Sequence, residues 1–369
     1  MSNIEHIILY LLLFFLMFVW GKENYNKQSW RFCISALIPI LCFAIITGCR
    51  EWGVDYDLYK YKMTHPDASS VKKDEYLFLL LNKIILFLEL DGTGGFIIYS
   101  IIIIIGSFIF IRSFKIYSKY MYALLLPAIL IETMIHIRQG IAFGVSLIAL
   151  SFLNKTNWKM FVLFSFIAFN IHSISILLLL ACIVLFCLRR YIIPIWASIP
   201  MYCIAIFLPQ YINYTFIQKL LVFLPVKGSK YVVYIKHMSS LFSEKANRME
   251  WMQSPLALLL SSLFDISIII ISYWYLKKIH NPIVNIYYNI FVIGAILVRI
   301  FFLNELLRRS FTLYYMLYFV PLAYCFFWFS LENKKSKGFI VGFGCIIAYL
   351  IAYWGRFVFL NENTVFVWQ

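Results

Sequence analysis

The stretch Phe32-Cys33-Ile34-Ser35-Ala36-Leu37-Ile38-Pro39-Ile40-Leu41-Cys42-Phe43-Ala44-Ile45-Ile46-Thr47-Gly48 carries no charge. Almost at once it is followed by Arg50-Glu51-Trp52-Gly53-Val54-Asp55-Tyr56-Asp57-Leu58-Tyr59-Lys60-Tyr61. As a helix the first segment approaches the ~20 apolar residues that cross the hydrocarbon core of a bilayer. The second is dense in charge and aromatic rings, and it sits at the mouth of that span. A chain that places charge this sparingly makes a cluster at a span's end a candidate site.

The remainder of the chain has the same character. Hydrophobic residues make up 63% and charged residues 13%, and the mean hydropathy is +0.84. A water-soluble domain could not cover that much apolar surface, so the pattern predicts an all-α, polytopic integral membrane helix bundle. The short alternating segments of a β-barrel are absent from the pattern. The first run, Ile4 to Trp20, has no Lys or Arg before it and no small-residue cleavage site after it, so it reads as a retained span. The formal charge of +15 lies mostly in short segments between apolar runs, which argues against a nucleic-acid partner. The eight cysteines are scattered through the spans without metal-type spacing or a disulfide framework.

Short loops rich in Lys and Arg belong in the cytoplasm. Lys22, Lys27 and Arg31, then Arg112, Lys115 and Lys119, then Lys155 and Lys159, Arg189 and Arg190, Lys277 and Lys278, and Lys334, Lys335 and Lys337 all fit the inner side. This register predicts about 12 spans in a single polytopic domain over residues 1–369 with both termini outside. Residues 50–95 and 209–254 form its outer loops. Within the first of these loops, Glu75 to Leu88 is apolar but short, and counting it as a span would break the charge register. It is expected to be an interfacial or re-entrant helix. Asp91-Gly92-Thr93-Gly94-Gly95 reads as a turn and lacks the setting of a phosphate-binding loop.

The charges outside the inner loops converge on the outer side. Ionisable groups at membrane depth cost several kcal/mol (~3) unless paired, and they tend to mark a substrate path. Arg138 lies between short apolar helices in Ile135-His136-Ile137-Arg138-Gln139-Gly140; its plainer reading is an arginine snorkelling to lipid phosphates. Arg299, inside Leu297-Val298-Arg299-Ile300-Phe301, has a structural ion pair with Glu305 or Asp265 as the alternative to ligand binding. Arg308 and Arg309 are binding candidates or rim charges. Guanidinium forks hold phosphate oxygens in a bidentate way and keep their charge, so several arginines around one cavity point to an anionic, phosphate-bearing ligand. His172, in Asn170-Ile171-His172-Ser173, is either a catalytic base or a hydrogen-bonded turn residue. Asp55 and Asp57 form a D-x-D pattern, but a carboxylate pairing with Arg50 or deprotonating a sugar hydroxyl is the preferred reading over metal binding. In the large outer loop, Lys230, Tyr231 and Tyr234 alternate charge and ring, as in a sugar-stacking groove or an amphipathic surface segment.

Six motifs in order give the chain a resemblance to the EpsG-type, Wzy-like bacterial polysaccharide polymerases. Arg50-x-x-Gly53-x-Asp55-x-x-x-Tyr59 and the following Glu75-x-x-Phe78-x-x-Leu81 resemble the N-terminal signature. Ile137-Arg138-Gln139-x-Ile141-Ala142 and Phe169-x-x-His172-x-Ser are similar to the central ones. Lys230-Tyr231-x-x-Tyr234 and Arg308-Arg309-x-x-x-x-Tyr314 resemble the late loop and the arginine before a penultimate span. The resemblance implies a GT-C-like glycosyltransferase of the bacterial inner membrane with its site facing the periplasm or exterior. Such an enzyme moves a glycan from undecaprenyl diphosphate onto a lipid-linked repeat unit. Its expected catalytic residues are His172, Asp55 and Arg138. Arg50, Tyr56, Tyr59, Gln139, Lys230, Tyr231, Tyr234, Arg299, Arg308 and Arg309 are expected to bind substrate, with membrane lipid and a chain-length regulator protein as partners and neither metal nor cofactor required.

Two other classes compete. A transporter or flippase of lipid-linked sugars predicts inverted repeats and charges near the midplane, whereas here the charges gather at outer span ends. A membrane acyltransferase working on surface glycan predicts its His and Arg at inner ends.

Overall fold

The computed structural model describes residues 2–27, 29–50, 56–66, 76–210, 255–302, 305–332, 340–344 and 346–351. Every element named below is helical, so the all-α membrane bundle expected from the sequence is what the described residues form. In chain order the helices are α1 (Ser2–Asn24), α2 (Ser29–Gly48), α3 (Tyr56–Thr64), α4 (Tyr76–Phe87), α5 (Gly92–Arg112), α6 (Met121–Ile135), α7 (Ile137–Asn154), α8 (Trp158–Ile171), α9 (Ser175–Cys187) and α10 (Ile195–Phe207). They continue with α11 (Pro255–Lys278), α12 (Pro282–Ile300), α13 (Glu305–Met316) and α14 (Phe319–Leu331).

Local chemistry explains several boundaries. Asp91 caps α5 by accepting from the Gly94 N–H at 2.7 Å. Asn281 caps α12 by accepting from Ile283 and Val284, with Pro282 in the first turn, where its missing N–H costs nothing. The glycine-rich segment expected to be a turn is therefore the first turn of a span. The apolar run Phe311 to Ser330 is interrupted at Leu317 and Tyr318, between α13 and α14.

Six segments among the described residues are long and apolar enough to cross a membrane: Trp30–Gly48, Gly92–Arg112, Ile137–Asn154, Pro255–Lys278, Pro282–Ile300 and Leu307–Leu331. The expected count of about 12 full spans is thus not reached by length alone. Helices α8, α9 and α10 have 14, 13 and 13 residues, which at ~1.5 Å per residue is ~20 Å, short of a ~30 Å core. Helix α4 is shorter still at 12 residues. It buries Phe78, Asn82 and Ile85 while exposing Tyr76, Leu80, Ile84 and Phe87, which suits a helix that lies partly within lipid.

Helix α7 is buried on nearly all faces, as is α12. Such all-round burial marks the centre of a bundle. Helix α5 crosses α7 where Gly144 lies so close that a Cβ there would sit 2.7 Å from the Ile103 Cα. Helix α12 meets α13 at Gly294 in the same way.

Hydrogen bonds tie the basic loop ends together at one end of the bundle. The Asn154 amide donates to Ser113 Oγ at 2.8 Å and accepts from Tyr287 Oη at 2.7 Å. Asn285 and Asn289 on α12 donate to the carbonyls of Arg189 and Tyr191. Tyr324 Oη donates to the Ile279 carbonyl, and Lys278 pairs with Glu332 at 3.4 Å. Of the basic ends grouped by sequence reasoning on one side, those at Arg112, Lys155, Arg189 and Lys278 are joined here, while Lys334, Lys335 and Lys337 lie outside the described residues.

Candidate functional site

At the opposite end, five elements far apart in sequence meet. Helix α3 turns Tyr56, Tyr59, Lys62 and Met63 inward, at helical spacing. Tyr59 Oη accepts a hydrogen bond from Arg138 Nε at 2.9 Å, from the first turn of α7. The Arg138 guanidinium also lies 5.7 Å from the Phe78 ring centroid on α4, within cation–π range. Next along α7, Gln139 Nε2 donates to the Arg309 carbonyl at 2.7 Å, tying α7 to α13.

The turn between α8 and α9 carries His172, which leaves the helix in an extended conformation (φ −154°, ψ 118°). Its Nδ1 accepts from the Ile174 backbone N–H at 3.3 Å, and its carbonyl accepts from Ser175 Oγ at 2.9 Å. Burial, and then the charges of Arg138 and Arg309, push the His172 imidazole down to about 3 from its ordinary value of 6.5. Two cations from α7 and α13 therefore act on one neutral histidine. Helix α13 is also pinned beside this turn, because Tyr314 Oη donates to the Leu177 carbonyl at 2.6 Å.

Arg50 lies apart from this cluster yet in reach of it through aromatic rings. Its side chain is 2% exposed, donates to the Thr47 carbonyl at 2.7 Å and sits 5.7 Å from the Phe96 centroid. Tyr56 stacks on that ring at 4.8 Å. From Phe96 the contacts run to Tyr99, then Phe78 and then Tyr59, reaching Arg138.

Arg299 has a different setting. Its Nη2 meets Asp265 Oδ2 at 3.0 Å and its Nε donates to Tyr202 Oη at 2.8 Å. Tyr202 also donates to Asp265 Oδ2, and Tyr315 Oη to Asp265 Oδ1 at 2.8 Å. Of the two pairings considered from sequence, the one with Asp265 is present. The guanidinium is committed to a buried network linking α10, α11, α12 and α13.

Of the residues singled out in the sequence, the fold brings Tyr59, Arg138, Gln139, His172 and Arg309 together, with Arg50 and Tyr56 beside them. Arg308 is half-buried on α13 next to Arg309. Asp55, Lys230, Tyr231 and Tyr234 lie outside the described residues. Sequence reasoning missed Lys62, 4% exposed and 5.6 Å from the Tyr59 ring. It also missed Asn82, which accepts from Tyr99 Oη. A lysine on the inner face of α3 is visible in the Tyr56, Tyr59, Lys62 spacing. Nothing in the pattern distinguishes Asn82 or Tyr99 from ordinary span residues. Among the described residues no group of three His, Cys, Asp or Glu side chains comes together.

Residues 32–369 match the EpsG family. The chain belongs to that family. Membership marks this EpsG-family chain as a membrane protein of polysaccharide-polymerase type. The match takes in every residue of the Arg138, His172 and Arg309 cluster. No curated protein and no solved structure matches the chain.

Proposed function

We propose that the chain is a glycosyltransferase that polymerises repeat units carried on undecaprenyl diphosphate at the outer face of the bacterial inner membrane. The observation that carries this reading is the meeting of Arg138, His172 and Arg309 at the bundle end opposite the basic loops, in an EpsG-family chain. The short helices would complete a GT-C-like bundle of about 12 spans with this end outward.

The reaction breaks the bond between the glycan's anomeric carbon and the lipid diphosphate, and the electron pair leaves on the diphosphate oxygen. The hydroxyl oxygen of the incoming lipid-linked unit forms the new bond at that carbon and gives up its proton. Charge develops on the leaving diphosphate, and Arg138, whose Nε is held by Tyr59, and Arg309, whose backbone is tied to Gln139, would receive it. Donors held in position before the charge appears stabilise it without reorganising. Arg50 and Lys62 extend the positive field, and Tyr56, Tyr59 and the loop tyrosines Tyr231 and Tyr234 would offer rings to the sugars. The sequence offers two groups for the acceptor proton, His172 and Asp55. A chain-length regulator is the expected protein partner.

A deletion strain complemented with the wild-type chain, Arg138→Ala or Arg309→Ala tests this. The expected surface glycan is a ladder with the wild type and a single-repeat band with either variant at equal membrane levels. Loss of all glycan in the deletion strain would instead point to export, and an unchanged ladder lacking acyl groups would point to a modifying enzyme.

A further inference from the structure

We infer that His172 serves the leaving group and not the acceptor: it presents Nε2–H as a third fixed donor to the diphosphate, beside Arg138 and Arg309. The inference rests on the polymerase reading for the identity of the ligand, but its geometric part stands alone.

The Ile174 N–H donates to Nδ1, two residues along the same turn. A ring nitrogen that accepts a hydrogen bond carries no proton, so in the neutral imidazole the proton is on Nε2. To take a proton from a hydroxyl at Nε2, the ring would first need its proton on Nδ1, where it would face the Ile174 N–H head-on. The turn therefore opposes both the base-competent tautomer and the imidazolium. Nε2 has no protein partner among the described residues, so its N–H is available to an incoming oxygen.

The electrostatics agree. Helices α4, α7, α12 and α13 surround α8 and α9, and the charged groups acting on the ring from them are Arg138 on α7 and Arg309 on α13. Both are cations. They repel a positive imidazole and attract the same oxygens that an N–H would bind. A neutral histidine between two arginines is a mixed donor set for an oxyanion, held by a local turn instead of a side-chain partner. Assigning His172 to this role removes it from the choice of acceptor base.

Two measurements test this on the full-length protein in lipid bilayers. The first is nitrogen-15 NMR of histidine-labelled protein, with the His172 signal identified by its absence in His172→Gln. The expected spectrum has an unprotonated Nδ1 and a protonated Nε2, unchanged from pH 8 to pH 5, and a short polyprenyl diphosphate shifts the Nε2 resonance. A proton on Nδ1, or an imidazolium at pH 6, would overturn the assignment whatever reaction the protein performs.

The second compares chain extension by His172→Gln and His172→Ala. Glutamine places an amide N–H near the position of Nε2 but cannot act as a base. The expected loss is about 10²–10³-fold for alanine, the usual cost of one oxyanion donor, with glutamine recovering a clear fraction of it and keeping the wild-type pH profile. Glutamine as inactive as alanine, together with a wild-type acid limb that it lacks, would make His172 the base. Failure of the polymerase reading would show separately, as wild-type protein that gives the expected spectrum but extends no chain.

Discussion

Arg138 and Arg299 were both binding candidates in the sequence, with different plainer readings, and their neighbours separate them. Arg299 is neutralised by Asp265, with Tyr202 and Tyr315 filling the remaining hydrogen-bond positions. Removing one member of such a pair strands a buried charge, at about 3–5 kcal/mol, whereas replacing both with apolar groups of similar size costs far less. Asp265→Ala should therefore lower the melting temperature in detergent sharply, and the double change Asp265→Leu, Arg299→Met should recover most of it. A melting temperature untouched by Arg299→Met, with polymer lost, would return Arg299 to the substrate-binding set. Arg138 is held by the Tyr59 hydroxyl and faces the Phe78 ring. Lysine there keeps the charge but loses the fork and the Nε bond to Tyr59. Arg138→Lys should extend chains at a rate roughly tenfold below wild type, between wild type and alanine, in an assay with lipid-linked repeat units. An Arg138→Lys enzyme as fast as wild type would mean that charge alone matters at this position.

Among the helices, α13 has the most demanding placement, since it carries Arg309 and is held from three sides by Gln139, Leu177 and Asp265. Its close approach to α12 depends on Gly294, where a Cβ would lie 2.6 Å from the Tyr315 backbone nitrogen and 2.7 Å from the Tyr314 Cβ. The opposing atoms are mostly backbone and cannot rotate away. Gly294→Ala should move α13 outward and reduce chain extension about tenfold or more while the protein still inserts, since small misplacement of positioned groups is costly; full activity would show that the contact relaxes without shifting Arg309. This level also shows what the sequence could not express. The short helix α4 was legible because its apolar run was visibly brief. The start of α5 was misread because its glycines signal a turn, whereas Asp91 uses them to begin a helix and Gly95 lets Met63 of α3 pack close. The break before α14 was overlooked inside a uniformly apolar run, although Pro321, with no N–H to bond the Leu317 carbonyl, marks it.

For the molecule as a whole, the separation of basic ends from the arginine–histidine end was legible, because loop charge follows a rule that needs no packing information. The number of full spans was not, since a run of 13 residues looks like a poor span on paper and a half-length helix in the fold. The aromatic path from Arg50 to Arg138 was hidden for a related reason: Phe78, Phe96 and Tyr99 look like any other span residues until their neighbours are known. Two cysteine positions test the two-ended arrangement. Cys187, exposed next to Arg189, should react with a membrane-impermeant thiol reagent only from the cytoplasmic side. A cysteine replacing Ser173, beside His172, should react only from outside; labelling of both from one side would reject the arrangement. The same layout has a consequence for biogenesis. Gln139 and the Arg309 carbonyl are bonded across 170 positions of chain, so Arg138 and His172 enter the membrane long before the ribosome has made Arg309. On the proposed polymerase reading, a nascent chain should be inert toward lipid-linked sugars until α13 is threaded in, and a C-terminal fragment beginning near Pro255, supplied in trans, should be able to switch on a silent N-terminal one.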